Sequence, residues 1–180
     1  MSTPLPSAIA LSIVIPAYNE AGRIAETVHA WDEETNRLGI VREILVYDDG
    51  STDATPVRLA VLAHEIADVR VTRHPNQGHG PTILLGYRQA RGEWVLQIDG
   101  DDEVGVEGFE PLWNARERYD LLIGRRIGRR LGVARRLLTL GAALAVRLSF
   151  GRGVADVNSP YRLMRRSALV ALLPQLPAGL

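Results

Sequence analysis

Four carboxylates, Asp99, Asp101, Asp102 and Glu103, stand within five positions of the stretch LQIDGDDE, directly behind an apolar run. Two such charges about 4 Å apart repel by roughly 4 kcal/mol at an effective dielectric near 20, so a cluster of this kind is solvated, partly protonated or bound to a cation. Asp99 and Asp101 flank Gly100, a spacing that lets two carboxylates converge on one hard divalent ion while the glycine admits a ligand close to the backbone. Mg²⁺ or Mn²⁺ held by one or two carboxylates together with substrate phosphates is the usual form of such a site. A solvated acidic turn is the competing reading of the same residues.

Three other stretches have the composition for chemistry. Asp48 and Asp49 precede Gly50 and Ser51; they suit a turn in which Ser51 or Asp53 caps the next helix, and equally a carboxylate that accepts hydrogen bonds from a nucleobase or ribose. The loop NQGHGPT carries Gly78, His79 and Gly80 ahead of a helix, where backbone N–H groups can meet an anion. It lacks both the third glycine of a dinucleotide fingerprint and the Gly-Lys-Ser/Thr of a phosphate loop, so it reads first as a structural loop with a solvated histidine. The segment IGRRIGRRLGVARR, 123–136, has six arginines and no acid. Arginine favours bidentate phosphate contact, and without interleaved aromatics or a reader motif the run points to a phosphorylated small molecule or lipid rather than nucleic acid.

These residues need a scaffold. LSIVIP at 11–16 is a continuous apolar run that suits a strand covered on both faces. Ile24, Val28 and Trp31 recur at helical spacing within 20–38, before Gly39. EILVYDDG is a second strand, and Thr55 with Pro56 reads as an N-cap and first helical residue leading through VRLAVLAHEI. DVRVTRH is a third strand, 82–91 a helix, EWVLQID a fourth strand, 107–118 a helix and YDLLIG a fifth strand; the arginine-rich remainder reads as helical. Strands alternating with helices imply right-handed βαβ units and a mainly parallel α/β sheet, whose ligands sit at the carboxyl ends of the strands. The polar stretches all fall at that edge.

Composition narrows the classes. A chain of 180 residues, 46% apolar, fits one domain with a real core. With no cysteine it has neither a disulfide framework nor a thiolate zinc site. The net charge of zero conceals a division: residues 1–120 hold 20 acids and 10 arginines, and 121–180 hold 11 arginines against Asp156 alone. The C-terminal part therefore reads as meeting something anionic. MSTPLPSAIA has no basic region ahead of an apolar core, so it does not read as a secretory signal and the chain is expected in the cytoplasm. LLTLGAALAV, 137–146, has arginines on both sides and falls short of the ~20 apolar residues that span a bilayer, so it suits a membrane surface.

In order, IPAYNE at 15–20, VYDDGSTDAT at 46–55, NQGHGPTILLGYRQARGEW at 76–94, IDGDDE at 98–103 and DVNSPYRLMRR at 156–166 resemble family 2 glycosyltransferases of the GT-A fold. Within that family the chain is most similar to the dolichol-phosphate mannose synthase and polyprenyl-phosphate glycosyltransferase branch. The resemblance implies a Rossmann-like nucleotide-binding sheet, a UDP- or GDP-linked sugar donor, Mg²⁺ or Mn²⁺, inversion at the anomeric carbon, and a polyprenyl phosphate acceptor at the cytoplasmic face of the membrane. By motif, Pro16, Tyr18 and Glu20 line the nucleotide pocket with Val46 and Asp48, and Asp99 and Asp101, with Gly100 between them, hold metal and diphosphate. Arg125 and Arg135 face acceptor or donor phosphate, and the segment from Asp156 through Ser159 to Arg162 closes the acceptor side. Arg125 and Asp156 join Asp99 and Asp101 as expected catalytic residues.

The resemblance has departures. Glu103 stands where the branch usually has glutamine, adding a negative charge that can reach the metal, and Ser159-Pro160-Tyr161-Arg162 replaces the usual Ser-Gly-Phe-Arg. The chain reads as a single GT-A domain over 1–180, with a nucleotide-sugar and metal half at about 11–123 and an Arg-rich acceptor half at about 124–180. Its end, LLPQLPAGL, reads as truncated before the C-terminal membrane segments of many relatives. Two further readings stay open: transfer to a saccharide or small-molecule hydroxyl, with Asp156, Asp102 or Glu103 as the base, and a non-catalytic module for nucleotide sugar or anionic lipid.

Overall fold

The computed structural model describes residues 8–100, 105–124 and 161–175. Arg125, Arg135, Asp156, Ser159, Asp101, Asp102 and Glu103 lie outside the described residues, as does the apolar run at 137–146.

The first strand, β1 (Leu11–Ala17), is buried along its whole length, as a continuous apolar run demands. Helix α1 (Ile24–Arg37) turns Ile24, Val28, Trp31 and Thr35 inward and ends before Gly39, whose φ of 65° suits the chain reversal. After β2 (Arg42–Asp48) comes α2 (Thr55–Glu65), with Pro56 in its first turn and Leu59 and Leu62 buried. Then follow β3 (Val69–Arg73), α3 (His79–Gln89), β4 (Trp94–Gln97), α4 (Phe109–Ala115) between two short 3₁₀ turns, β5 (Leu121–Ile123), β6 (Arg162–Arg165) and α5 (Arg166–Leu172).

The six strands form one sheet in the order β3-β2-β1-β4-β6-β5. β1 lies parallel between β2 and β4, and β3 extends the sheet beyond β2, also parallel. β6 is antiparallel to both β4 and β5. The sheet is therefore mostly parallel, as expected, but the expected helical character of the arginine-rich end fails at Arg162–Arg165. That stretch inserts between β4 and β5 because Leu163 is fully buried there and Arg165 stacks its guanidinium 4.4 Å from the Trp94 ring centroid. A four-residue strand flanked by arginines has too little periodicity to declare itself.

Side chains alternate between the two faces of the sheet. Ile13, Ile15, Ile44, Val46, Trp94, Leu96 and Leu163 point to α1, α2 and α4, where Trp31 meets the Phe109 ring edge-on at 5.2 Å and Tyr161 at 5.8 Å. Val14, Leu45, Tyr47 and Val95 point to α3 and α5, against Ile83, Leu84, Tyr87 and Leu169. The result is an α/β/α sandwich. A methyl group at Gly86 would come within 2.3 Å of Val14 Cγ1, so the missing side chain is what lets α3 lie against β1.

A buried polar node ties the amino edge of the sheet. Ser12 Oγ donates to Glu43 Oε1 at 2.7 Å and accepts from the Gly92 amide at 2.8 Å. Glu43 also takes the Arg91 amide at 2.8 Å and the Arg91 guanidinium at 2.7 and 3.0 Å. Burial pushes the Glu43 carboxyl up, but the bonds from Ser12 and Arg91 outweigh it and hold the group below its ordinary range. Ser12→Ala leaves the Gly92 amide without that acceptor and is expected to cost about 1–3 kcal/mol in urea unfolding. Because the folded carboxyl titrates below the unfolded value of 4.5, Glu43 contributes stability that is present above that pH and lost as pH falls through the folded value. Glu43→Gln is expected to flatten this acid limb in urea midpoints taken across the acid range; an unchanged slope would contradict the assignment.

Candidate active site

Leu11 of β1 is paired with Arg42 of β2 and with Trp94 of β4, so the three strands run in step toward one edge. The β1–β2 ladder continues to Ala17 and Asp48, with the Asp49 amide reaching Ala17 O at 2.9 Å, whereas the β1–β4 ladder ends near Val14 and Ile98. Along a strand, alternate residues direct their backbone groups to the same neighbour. Val14 bonds β4 through its carbonyl, so the next position with that orientation is Pro16, which has no N–H to donate. The chain beyond Ile98 then leaves the sheet, and Gly100 folds over the end of β1. A methyl group at Gly100 would lie 3.2 Å from Pro16 O and 3.3 Å from Ile24 Cδ1, so here the glycine admits the neighbouring backbone; its carbonyl accepts from Thr27 Oγ1 at 3.3 Å.

This divergence opens a cleft of about 320 Å³ lined by Pro16, Tyr18 and Glu20 from the end of β1, Asp49 from β2, Gly78 and His79 at the start of α3, and Asp99 and Gly100 after β4. Asp99 is partly exposed on its wall, and His79 Nε2 lies 3.6 Å from Asp99 Oδ1. Tyr18 is 48% exposed and offers a ring face at the rim. Five of the expected nucleotide and metal residues, Pro16, Tyr18, Glu20, Asp99 and Gly100, thus meet at one cavity.

Val46 and Asp48 fall elsewhere. Their side chains belong to the α1 and α2 face, where Val46 is fully buried in the core and Asp48 accepts from the Ser51 amide at 2.9 Å and pairs with Arg73 Nε at 3.2 Å. The carboxylate on the cleft side is Asp49. The two-residue period supplies the reason once packing against α3 assigns Tyr47 to that face. Asp49 is nearly buried and accepts the Gln77 and Gly78 amides at 2.8 and 3.0 Å, which anchors the NQGHG loop.

The loops at this edge are stitched to each other. Asn19, in the left-handed region at φ 57°, accepts from the Thr52 amide at 2.8 Å, and its own amide donates to Ser51 Oγ at 2.9 Å. Asp53 accepts from the Thr55 amide at 2.9 Å and the Ala21 amide at 3.2 Å. Thr55 is the first helical residue of α2 and Ala54 precedes it as cap, one position earlier than expected, because Asp53 satisfies the free amide from outside the helix. Gly50, at φ 74°, sits where a methyl group would meet the Asn76 amide at 2.7 Å.

A divalent ion fits the chemistry of this wall: the Asp99 carboxylate supplies hard oxygen donors on a cleft open to substrate phosphates. Among the described residues no group of three or more His, Asp or Glu is gathered to hold a metal; the expected partners Asp101 and Glu103 lie outside them. Arg162 opens β6 and is paired with Gln97 of β4. Among the described residues no helix is long and apolar enough to cross a membrane.

Residues 12–173 match the model of the glycosyl transferase family 2 domain. The chain belongs to that family. It is 33% identical over 166 residues to an undecaprenyl-phosphate 4-deoxy-4-formamido-L-arabinose transferase of Pseudomonas paraeruginosa, covering 91% of this chain and 49% of the relative. It is 28% identical over 181 residues to a dolichyl-phosphate β-glucosyltransferase of Trichomonas vaginalis, covering 91% of this chain and 55% of the relative. A mannosyltransferase of Pyrobaculum calidifontis, solved in complex with GDP-Man and Mn²⁺, shares the GT-A fold at a TM-score of 0.64 and 21% identity, with 90% of this chain and 46% of that one covered. This chain spans about half the length of the curated relatives it matches.

Asp49→Ala is expected to release the Gln77 and Gly78 amides, with hydrogen exchange there accelerated about tenfold or more, since a bond to a charged group is worth about 1.5–3 kcal/mol. Protection of those two amides equal to wild type would show that the carboxylate does not anchor the loop.

Proposed function

We propose that this chain carries the donor-binding half of a metal-dependent, inverting glycosyltransferase that moves a sugar from a UDP- or GDP-linked donor to a polyprenyl phosphate at the cytoplasmic face of the membrane. The observation that carries the reading is the cleft itself: an aromatic rim at Tyr18, the buried Asp49 and the Asp99 carboxylate converge at the carboxyl edge of a parallel sheet, where nucleotides bind in open α/β folds. The names of the relatives support the acceptor class, and the GDP-Man and Mn²⁺ of the Pyrobaculum structure support the donor class and the metal.

In this reading Asp99, with Asp101 and Glu103, would hold Mg²⁺ or Mn²⁺, which supplies charge neutralisation to a departing nucleoside diphosphate. Pro16, Tyr18 and Glu20 bind and orient the nucleotide, with Asp49 at the base of the same cavity. Gly100 keeps the floor of the cleft close to the backbone of β1. Arg125 and Arg135 meet phosphate, and the segment containing Asp156, Ser159 and Arg162 closes the acceptor side. A polyprenyl phosphate is already anionic near neutral pH, with a second pKa of about 6 as for other phosphate monoesters, so it needs no strong base. The arginines then contribute chiefly by holding the attacking oxygen in line.

The test is nucleoside diphosphate binding with and without Mn²⁺. Wild-type chain is expected to gain thermal stability with UDP or GDP only when the metal is present, by about 2.7 kcal/mol at a ligand concentration one hundred times its dissociation constant. Asp99→Ala and Asp101→Ala are expected to abolish the gain. Metal-independent affinity, unchanged in both variants, would overturn the proposal.

A further inference from the structure

His79 stands on the cleft wall as the first residue of α3. The residue before it, Gly78, is fixed at both of its backbone groups. Its amide donates to Asp49 Oδ2 at 3.0 Å, and its carbonyl accepts from the Thr82 amide at 3.2 Å. Further along the same helix, the buried Tyr87 hydroxyl donates to Gln97 Oε1 at 2.5 Å, two residues before Asp99. Loop, helix and strand are thereby held against one another, and His79 Nε2 comes to rest 3.6 Å from Asp99 Oδ1.

This separation is too long for a hydrogen bond, whose N···O distances run to about 3.2 Å. With side chains 60% and 28% exposed, an ion pair between the two adds little to stability. A shared cation gives the distance a cause. A divalent ion bonded at about 2.1 Å to a carboxylate oxygen and to an imidazole nitrogen holds those two atoms about 3.0 Å apart at a right angle and about 3.4 Å apart at the tetrahedral angle. The pair stands just outside that range, and both groups line the same cavity. An imidazole also changes which ions such a place accepts. Mg²⁺ takes oxygen donors, whereas nitrogen donors suit first-row transition ions, with affinity rising from Mn²⁺ to Co²⁺.

We infer that His79 is a nitrogen ligand of the divalent ion held by Asp99, and that it selects Mn²⁺ and later first-row ions over Mg²⁺. The inference rests on the proposed function, to which it adds a metal ligand from α3 and an order of metals.

The experiment uses wild type, His79→Ala and Asp99→Ala. Calorimetry measures the affinity of Mg²⁺, Mn²⁺ and Co²⁺ for the chain in the presence of UDP and, separately, of GDP, after subtraction of the same titrations without protein. Pulsed EPR of the Mn²⁺ complex reads the nitrogen hyperfine coupling of a bound imidazole. His79→Ala is expected to keep the wild-type thermal midpoint, to lose that coupling, and to weaken Mn²⁺ about tenfold or more, Co²⁺ further still and Mg²⁺ least. An equal loss for all three ions would mean that the side chain only supports Asp99, and the ligand role would be overturned. Wild-type affinity in His79→Ala, or a wild-type Mn²⁺ complex without imidazole coupling, would overturn it as well. In those cases the proposed function stands as long as Asp99→Ala abolishes metal-dependent binding. If no ion binds to wild type with either nucleotide, the proposed function falls and the inference falls with it.

Discussion

The cleft depends on one hydrogen-bond ladder and on where that ladder stops. β1 is the central strand that pairs with β2 on one side and β4 on the other, and both neighbours start opposite Leu11. Equal starting points and similar rise per residue bring the carboxyl ends to one edge. Pairing with β2 runs to the end of β1, and pairing with β4 ends sooner because Pro16 has no amide for it. That asymmetry separates Asp99 from the sheet and leaves space between it and Asp49. The amino edge, closed by Ser12, Glu43 and Arg91, keeps the register from which this follows.

Two kinds of glycine serve the arrangement. Gly50 adopts a backbone conformation other residues resist, so the turn after β2 can double back against Asn76. Gly86 and Gly100 instead permit close approach, of α3 to β1 and of the post-β4 chain to Pro16. The acidic residues divide similarly. Asp48 and Asp53 satisfy amides and a guanidinium within the loops, Asp49 anchors the neighbouring loop from within the cleft, and Asp99 is the carboxylate with solvent on one side.

Much of this was readable in order along the chain. The buried run at 11–16, the helical spacing of Ile24, Val28 and Trp31, and the three polar stretches behind β1, β2 and β4 all came from local pattern. Two features resisted it. Arg162–Arg165 pairs with strands more than 30 residues away in the chain, and long-range pairing leaves little trace in four residues. His79 reads as a solvated loop histidine and is in fact exposed, yet its place 3.6 Å from Asp99 depends on how α3 docks on the sheet.

The family, the α/β class, the single edge at which chemistry gathers and most of the residues that reach it are legible in the residues alone, because strand and helix periods and turn residues act over a few positions. Packing of the sheet's two faces selects which of Asp48 and Asp49 reaches the cleft. Asp49 rather than Asp48 lines it because β2 keeps the parity set by Leu45 and Tyr47 packing under α3, and Tyr87 meets Gln97 because α3 is pressed onto β4 there. Local pattern carries no information about such meetings; burial of the two faces does.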